Sequence, residues 1–286
     1  MMRAMLTLDV EDWEHANYGQ LKGCGGEIAS EVRRKAYRMD ANIDKWLEIL
    51  ADHDACSTAF VLGEFAEKYP EAVKRLARAG HEIATHGQTH DLIYEMSRET
   101  FREFLKKGIG TLGNLLGKTP VGFRAPSWSV DERTPWLCEE LAAQGIKYDS
   151  SLFPVRTPLF GRKNAPLRLS WDAGVLRIPA TVMDFGGFRV PFASGAFFRI
   201  MPLPVILYGL ERASKNGQPV MIILHPRELD PAHPRLPLSG WERMVHYARL
   251  GTTIPKLCAV LENYNWRSIE LVCAPILDSG AKPSDN

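Results

Sequence analysis

The sequence predicts an α/β protein in which parallel strands close into a barrel within a single domain. Short β-like runs alternate with amphipathic helical segments along most of the 286 residues, which is typical of β-α-β units. Residues 220–224, VMIIL, are continuously apolar, as expected for a parallel strand that is buried on both faces. At this chain length, a closed barrel of about seven parallel strands is favoured over an open sheet.

Two kinds of signal define the elements in chain order. Apolar runs predict strands at residues 5–8, 58–62, 81–85, 121–123, 146–148 and 220–224. Capping residues and helical periodicity predict helices that begin near Asp40, Pro70, Ser97 and Thr134. The helix after Ser97 also contains three glycines, which are expected to loosen it: Gly108, Gly110 and Gly113.

The domain organisation is expected to be simple, with one domain over residues 1–276. Within it, residues 153–198 are rich in proline, glycine and arginine and have weak periodicity. We predict that they form an irregular insertion that shapes a substrate groove. Residues 277–286 are predicted to be a disordered tail.

The composition bears on partners and location. With 35 Lys and Arg against 34 Asp and Glu, the charge gives no electrostatic case for nucleic-acid binding. No stretch reaches the ~20 apolar residues of a membrane span, and three acids by residue 12 leave no room for an apolar signal core. Five scattered cysteines never form a CxxC pair, which is typical of reduced thiols. We therefore expect a cytoplasmic protein.

Chemically reactive side chains follow the predicted strands at the points where those strands end. The carboxyl ends of the strands in a parallel barrel open on one face, and active sites are built there. Residues that are far apart in sequence would therefore converge on one pocket. They are Asp9, Glu11, Asp12, His86, Arg124, Asp149 and His225.

The segment HGQTH at residues 86–90 carries the sharpest local signal. His86 and His90 are four positions apart, so one helical turn would bring them close enough to share a metal ion. One acid from the segment DVED at residues 9–12 would complete a set of two histidines and one carboxylate. Such a set leaves coordination positions open for water and substrate, which predicts a catalytic metal.

The other strand-end residues suggest the remaining parts of a hydrolase. A second, uncoordinated acid of the DVED segment could accept a proton from water, and His225 could protonate the leaving group. An arginine beside the base, Arg124, would keep that base ionised. An aspartate beside a histidine, Asp149, would fix its orientation and tautomer.

These residues, in this order, resemble the polysaccharide deacetylase family, also called the NodB-homology or carbohydrate esterase 4 family. The first motif corresponds to TLDVEDW and the second to HGQTH. The third is RAPSW at residues 124–128, the fourth is loosely YDSS at residues 148–151, and the fifth is LHP at residues 224–226. The segments DVEDW, YDSSLFP, GAFFRIMP and LHPRELDP are most similar to the subfamily found in exopolysaccharide loci of the PEP-CTERM type.

The resemblance implies a distorted (β/α) barrel that removes an N- or O-acetyl group from a sugar. It implies a divalent metal, most often zinc, with cobalt or nickel as alternatives. By the same resemblance, Asp9 is the general base, His86 and His90 are metal ligands, and His225 is the general acid. Arg124 is expected to tune Asp9, and Asp149 to orient His225. The residues expected to line the substrate pocket are Trp128, Leu224 and Pro126.

One departure from the family pattern concerns the carboxylate ligand. The commonest first motif has two adjacent aspartates, whereas here Val10 separates Asp9 from Glu11. Side chains two apart on a strand share a face, so we favour Glu11 as the metal ligand. Asp12 is the alternative if the strand breaks at Glu11. The fourth motif lacks its usual Asp-Trp ending, which weakens the role given to Asp149.

Three functions are compatible with these features. The leading hypothesis is a deacetylase that acts on a nucleotide-sugar or glycan precursor, for example in exopolysaccharide or lipopolysaccharide biosynthesis. The alternatives are a non-catalytic carbohydrate-binding or assembly protein and an allantoinase-like C–N hydrolase, although the intact HGQTH motif argues against the hydrolase. Three arginines of the insertion could bind a phosphate or uronic acid, with a solvated loop face as the simpler expectation: Arg156, Arg162 and Arg168.

Overall fold

The fold is built on one large curled sheet. A computed structural model describes residues 3–11, 15, 38–157, 160–233, 235, 238 and 240–279. Over these residues the strands are β1 Arg3–Val10, β2 Thr58–Val61, β3 Glu82–Thr85, β4 Gly122–Phe123, β5 Tyr148–Asp149, β6 Ser170–Asp172, β7 Val175–Arg177, β8 Val182–Phe185, β9 Phe188–Pro191, β10 Met221–Leu224 and β11 Asn265–Arg267.

The sheet is almost entirely parallel. Its strand order is β10-β1-β2-β3-β4-β5-β7-β6, with β11 also paired to β1, and only the β6–β7 pair is antiparallel. The outermost strands, β10 and β6, do not pair with each other over the described residues, so the sheet is a curled half-barrel. The predicted α/β distorted barrel is therefore confirmed. The closed form that chain length favoured is not what forms.

Helices cover the outside of the sheet. In the described part of the chain they are α1 Met39–Asp52, α2 Gly63–Lys68, α3 Pro70–Arg78, α4 Arg98–Leu116, α5 Leu137–Ala143, α6 Gly195–Ile200, α7 Leu203–Lys215, α8 Gly240–Tyr247, α9 Thr253–Leu261 and α10 Ile269–Ser279. None of the described helices combines the length and the apolar character that crossing a membrane requires.

Helix α4 is continuous despite the glycines that were expected to loosen it. The Ser97 hydroxyl accepts a hydrogen bond from the backbone N–H of Thr100, which caps the first turn. A Cβ on Gly108 would lie 2.8 Å from the carbonyl group of Gly87. Gly108 therefore allows α4 to approach the HGQTH segment more closely than any other residue would.

The two faces of β1 serve different layers. Leu6 and Leu8 belong to the apolar cluster that also contains residues of α1 and α7, so they pack toward the outer helices. Met5 belongs to a second cluster with Met221 and other residues of the barrel interior. Side chains alternate along a strand, so positions 7, 9 and 11 follow Met5 to the interior. The acidic end of β1 therefore lies on the inner face.

Two predicted segments are more regular than expected. Residues 153–198 contain the hairpins β6–β7 and β8–β9 together with α6, and β7 extends the parallel sheet beside β5. Part of the predicted insertion is thus integral to the barrel. Helix α10 includes residues 277–279, where the tail was predicted to begin, and residues 280–286 lie outside the described part of the chain.

Candidate metal centre and active site

Parallel strand ends position the polar residues of the candidate site. Strand β1 lies between β10 and β2, and β2 is followed in the sheet by β3 and β4. Asp9 is near the end of β1, His86 directly follows β3, Arg124 directly follows β4, and His225 directly follows β10. All four side chains emerge at the carboxyl edge of the sheet. The structure brings them together there, as their strand-end positions predict.

Glu11 and the two histidines of HGQTH form a compact donor set. Glu11 Oε1 lies 3.1 Å from His86 Nε2 and 3.1 Å from His90 Nε2. His86 Nδ1 lies 2.8 Å from the carbonyl oxygen of Arg124, to which it donates, so its Nε2 lone pair is directed to the cluster. One carboxylate and two imidazole nitrogens that lie within 4.8 Å of one another match the donors of catalytic zinc sites.

The electrostatics of Glu11 favour its charged form. Burial acts to raise the pKa of Glu11, but electrostatic interaction with His90 and the close contacts of its carboxylate with both histidines hold this pKa well below its usual range. A carboxylate in this form is a competent metal ligand. The alternative carboxylate, Asp12, lies outside the described residues, as does Trp13.

Asp9 is held by a buried arginine. Arg124 Nη1 donates to Asp9 Oδ1 at 2.5 Å, and the guanidinium carbon lies 4.1 Å from the centre of the Phe60 ring. Arg124 Nε also donates to the carbonyl oxygen of Ser150 at 3.2 Å. These contacts fix the Asp9 carboxylate, whose second oxygen, Oδ2, lies 4.0 Å from His225 Nε2. Arg124 is therefore beside Asp9, where the sequence put it.

His225 is oriented by a glutamate three residues further along the chain. Its Nδ1 lies 3.2 Å from Glu228 Oε2, and its backbone N–H donates to the same oxygen at 3.1 Å. Burial acts to lower the pKa of His225, but the hydrogen bond to Glu228 and the charge of Glu11 raise it above its usual value. The imidazolium form, which can donate a proton from Nε2, is thereby favoured.

A buried arginine completes this chain of contacts. Arg199 Nε donates to Glu228 Oε1 at 3.0 Å, and both side chains are fully buried. Burial acts to raise the pKa of Glu228, but the hydrogen bond and charge of His225, with the charge of Arg199, lower it to about 2. Arg199 also donates to the backbone carbonyl oxygens of Val245 and Ala248.

Sequence reasoning assigned no role to Glu228 or Arg199. Both lie in segments that carried the family resemblance, LHPRELDP and GAFFRIMP. The available signal was the spacing of His225 and Glu228, since a histidine and an acid three residues apart can meet across one turn. Arg199 offered no comparable signal because it is 29 residues from its partner.

The orienting role predicted for Asp149 is wrong in this structure. Asp149 Oδ2 lies 2.7 Å from Arg177 Nε, and Asp149 Oδ1 accepts a hydrogen bond from the Ser151 backbone N–H at 3.1 Å. The reason is the strand order, which separates β5 from β10 by four intervening strands. Its partner comes instead from the adjacent strand β7, where Arg177 stands opposite Asp149 in the register.

The three residues expected to line the substrate pocket have different locations. Trp128 packs against Phe153 and Phe160 in the interior cluster, with ring centres 4.9 and 5.2 Å away, and it lines a cavity described below. Pro126 is buried at the start of the same short 3₁₀ turn. Leu224 belongs to the outer apolar cluster, so the prediction that it lines the pocket is wrong. Alternation along β10 directs Leu224 away from the face that His225 shares with Ile223.

Two family models match the chain. Residues 36–148 match the polysaccharide deacetylase family, and residues 150–274 match a domain of unknown function, DUF3473. The candidate site therefore draws Glu11 and Asp9 from before the first match, His86, His90 and Arg124 from within it, and His225 from the second. The subfamily of the PEP-CTERM type stays a prediction.

Curated relatives that are named as deacetylases match parts of the chain. A peptidoglycan deacetylase from Helicobacter pylori is 30% identical over 135 residues, which are 47% of this chain and 45% of that protein. A chitooligosaccharide deacetylase from Sinorhizobium fredii is 31% identical over 108 residues, covering 30% of this chain and 50% of that protein. The chain thus spans half or less of the length of these relatives. The family model and the relatives support the polysaccharide deacetylase family.

The solved structures show the fold alone. A Mycobacterium smegmatis protein that is described as a polysaccharide deacetylase superposes on this chain with a TM-score of 0.63 at 20% identity. The match covers 100% of this chain and 93% of that one. An allantoinase superposes with a TM-score of 0.65 at 15% identity, covering 97% of this chain and 91% of that one.

Proposed function

We propose that this chain is a metal-dependent deacetylase that hydrolyses an N- or O-acetyl group on a sugar, a nucleotide-sugar or a polysaccharide precursor. The observation that carries the proposal is the convergence of five side chains on one sheet edge: Asp9, Glu11, His86, His90 and His225. The proposal is supported by relatives that are named as deacetylases of peptidoglycan and chitooligosaccharides.

Glu11, His86 and His90 would hold the metal. Zinc suits two imidazole nitrogens and one carboxylate best, and cobalt or nickel could use the same donors. A divalent metal in this position supplies Lewis acidity, which polarises a carbonyl oxygen and lowers the pKa of water. The hydrogen bond from His86 Nδ1 to the Arg124 carbonyl fixes the tautomer that such a ligand needs.

Asp9 is the proposed general base. Arg124 occupies Oδ1, so Oδ2 is the oxygen that accepts a proton when a water molecule attacks the acetyl carbonyl carbon. The arginine also restricts the carboxylate to one orientation. Attack forms the new C–O bond, and the proton of the water passes to Asp9.

His225 is the proposed general acid. Its Nε2 lies 4.0 Å from both Asp9 Oδ2 and Glu11 Oε1, and therefore beside the reacting group. For an amide, the C–N bond breaks as the sugar nitrogen takes the proton from Nε2, which leaves an amine and acetate. Glu228 holds Nδ1 and stabilises the imidazolium before this transfer.

The first test is the metal content of the purified wild-type protein, measured with acetate release from N-acetylglucosamine oligomers and UDP-N-acetylglucosamine. We expect about one divalent metal ion per chain and acetate release that a chelator abolishes. His86→Ala and Glu11→Gln should lose the metal. Asp9→Asn should retain it while turnover falls by about 10²–10⁴-fold.

A matched control is His53→Ala, which removes a half-buried histidine at the end of α1. It should retain both metal and activity. A wild-type protein that binds no metal and releases no acetate after metal addition would contradict the proposal and favour a carbohydrate-binding protein. Metal-dependent cleavage of allantoin without acetate release would favour the C–N hydrolase.

A further inference from the structure

A cavity of about 470 Å³ opens on the same edge of the sheet as the candidate metal centre. Its wall includes Tyr94 from the connection after β3, Trp128 and residues 130–133 after β4, and residues 156–157 and 160–164 after β5. These are the carboxyl ends of three consecutive parallel strands. The connection after β3 also carries His90, only four residues before Tyr94.

The cavity wall and the candidate active site both use the chain segment that follows β4. Arg124, whose carbonyl oxygen accepts from His86, is four residues before Trp128. Ser127 and Trp128 have positive φ values of 52° and 45°, which residues other than glycine rarely adopt. This backbone holds the indole of Trp128 in the cavity wall, where a flat apolar face suits a sugar ring.

The cavity wall carries more positive than negative side chains. Its two acids are already paired, because Asp131 bonds Arg133 at 2.5 Å and Glu132 lies 3.2 Å from Arg162. Two further cations of the wall, Arg156 and Lys163, have no carboxylate partner among the described residues. The cavity therefore presents two uncompensated positive charges.

The two described stretches that carry these cations, residues 154–157 and 160–165, are joined by one arginine. Arg189 Nη1 donates to the carbonyl oxygens of Pro154, Lys163 and Ala165, so it holds residue 154 close to residues 163 and 165. Gly161 has φ of +91°, and a Cβ there would lie 1.9 Å from the carbonyl oxygen of Val155. Only glycine fits this close approach to the backbone of Val155, and Gly161 lies two residues before Lys163 in the cavity wall.

We propose that this cavity is a subsite for an anionic group of the glycan, a phosphate or carboxylate, next to the sugar whose acetyl group is removed. Arg156 and Lys163 would bind the anion, and Trp128 would contact the ring between it and the metal centre. The identity of the neighbouring acetylated sugar rests on the proposed function, whereas the anion preference does not. Arg168, the third arginine considered in the sequence, does not line the cavity.

The test measures binding of three sugars that share a ring and carry no acetyl group: glucose 6-phosphate, glucuronate and glucose. Titration of the metal-loaded protein should show at least tenfold tighter binding of an anionic sugar than of glucose. Arg156→Gln/Lys163→Gln should remove that preference and leave glucose binding unchanged. Gly161→Ala, which changes no charge, should weaken it as well.

Lys106→Gln is the matched control, since Lys106 is an exposed lysine on α4, outside the cavity. It should keep the preference. Equal affinity of the wild type for the three sugars would overturn the inference. So would an anion preference that the double variant retains, or one that the control variant loses to the same extent. The tighter of the two anionic sugars identifies phosphate or carboxylate as the ligand.

Because the probes are not substrates, this outcome is independent of acetate release. A protein that releases acetate but shows no anion preference would retain the proposed function and lose the subsite. A protein with the anion preference that never releases acetate would retain the subsite and lose the proposed function.

Discussion

The two matched regions of the chain contribute to the candidate site in different ways. Residues 36–148 contain β2, β3 and β4, and their site residues take positions that the parallel register dictates. The described part of residues 150–274 contains two hairpins, several helices and three strands that pair in parallel in the large sheet, β7, β10 and β11. This second region positions His225 through a chain of side chains, from Arg199 to Glu228 to the imidazole.

The difference shows which parts of a functional site are determined by the geometry of the backbone. Strand order sets which strand ends lie beside a residue that directly follows a parallel strand, and this applies to the position of His225 as well as to His86 and Arg124. Where a residue is held by side chains from irregular segments, small changes in those segments redirect it. We therefore expect the second region to control how well His225 is oriented, while His86 and His90 of the first region, together with Glu11 from before it, control whether a metal is held.

The largest effect is expected from Asp149, a strand-end residue that the strand order keeps away from His225. Asp149→Asn leaves Arg177 buried without its closest carboxylate, which should lower the free energy of unfolding by about 3 kcal/mol. The melting temperature should fall by roughly 6–10 °C. The kcat for acetate release, per metal-loaded chain, should stay within about twofold of wild type.

The control for this variant is Asp172→Asn, which removes the exposed second partner of Arg177, 3.2 Å away. It should change the melting temperature little, because exposed ion pairs contribute little to stability. A large loss of kcat in Asp149→Asn at unchanged stability would show that Asp149 does orient His225, and it would contradict this prediction.

Much of the fold and of the site could be predicted from the sequence. The alternation of elements predicts the parallel sheet, and strand-end positions predict that Asp9, Glu11, His86 and Arg124 converge. What the sequence does not contain is the order of strands in the sheet. Asp149 was given the wrong partner because β5 and β10 are remote in the sheet, although β5 ends in Asp149 and His225 directly follows β10.

The second limit of prediction lies in side-chain contacts between irregular segments. Arg199 and Glu228 are 29 residues apart, and no periodicity relates α6 to the turn that follows β10. Leu224 was also misplaced, since the family resemblance that assigned it to the pocket does not say which alternate residues of β10 face the barrel interior in this chain. Side chains alternate along β10, but the face of Leu224 can be assigned only once another residue of the strand, such as Ile223, is known to face the barrel interior.

The next largest effect is expected from Glu228, the positioning residue of the second region. Glu228→Gln keeps the size of the side chain but removes the charge that stabilises the His225 imidazolium. We expect kcat to fall about 10–100-fold, with KM and bound metal nearly unchanged, because loss of an orienting partner costs about this much. Steady-state kinetics per metal-loaded chain measure the split.

The control is Asp230→Asn, which removes another buried acid of the same region that bonds Arg38 and does not contact His225. It should leave kcat within about twofold. If Glu228→Gln raises KM or releases metal instead of lowering kcat, the second region supports binding rather than the proton transfer.

The smallest effect is expected on the pH dependence of stability. It concerns one of two histidines that lie at opposite ends of β3, in the first region. His86 follows β3 and belongs to the metal cluster, whereas His81 precedes β3 and is buried. His81 Nδ1 accepts a hydrogen bond from the Ser57 backbone N–H at 3.0 Å, and burial lowers the pKa of His81 to about 4. Neutral His81 therefore has a structural role.

The sign of its pH dependence follows from that lowered pKa. Above about pH 6.5 His81 is neutral in both states, and it contributes no pH dependence to stability. Between about pH 6.5 and pH 4 the unfolded chain binds a proton that the folded chain does not, so stability falls as the pH falls. From pH 7 to pH 5.5 the loss is about 1 kcal/mol. Urea unfolding of wild type and His81→Gln over this range should show a shallower decline of stability in the variant, and parallel curves would contradict the assignment of this acid sensitivity to His81.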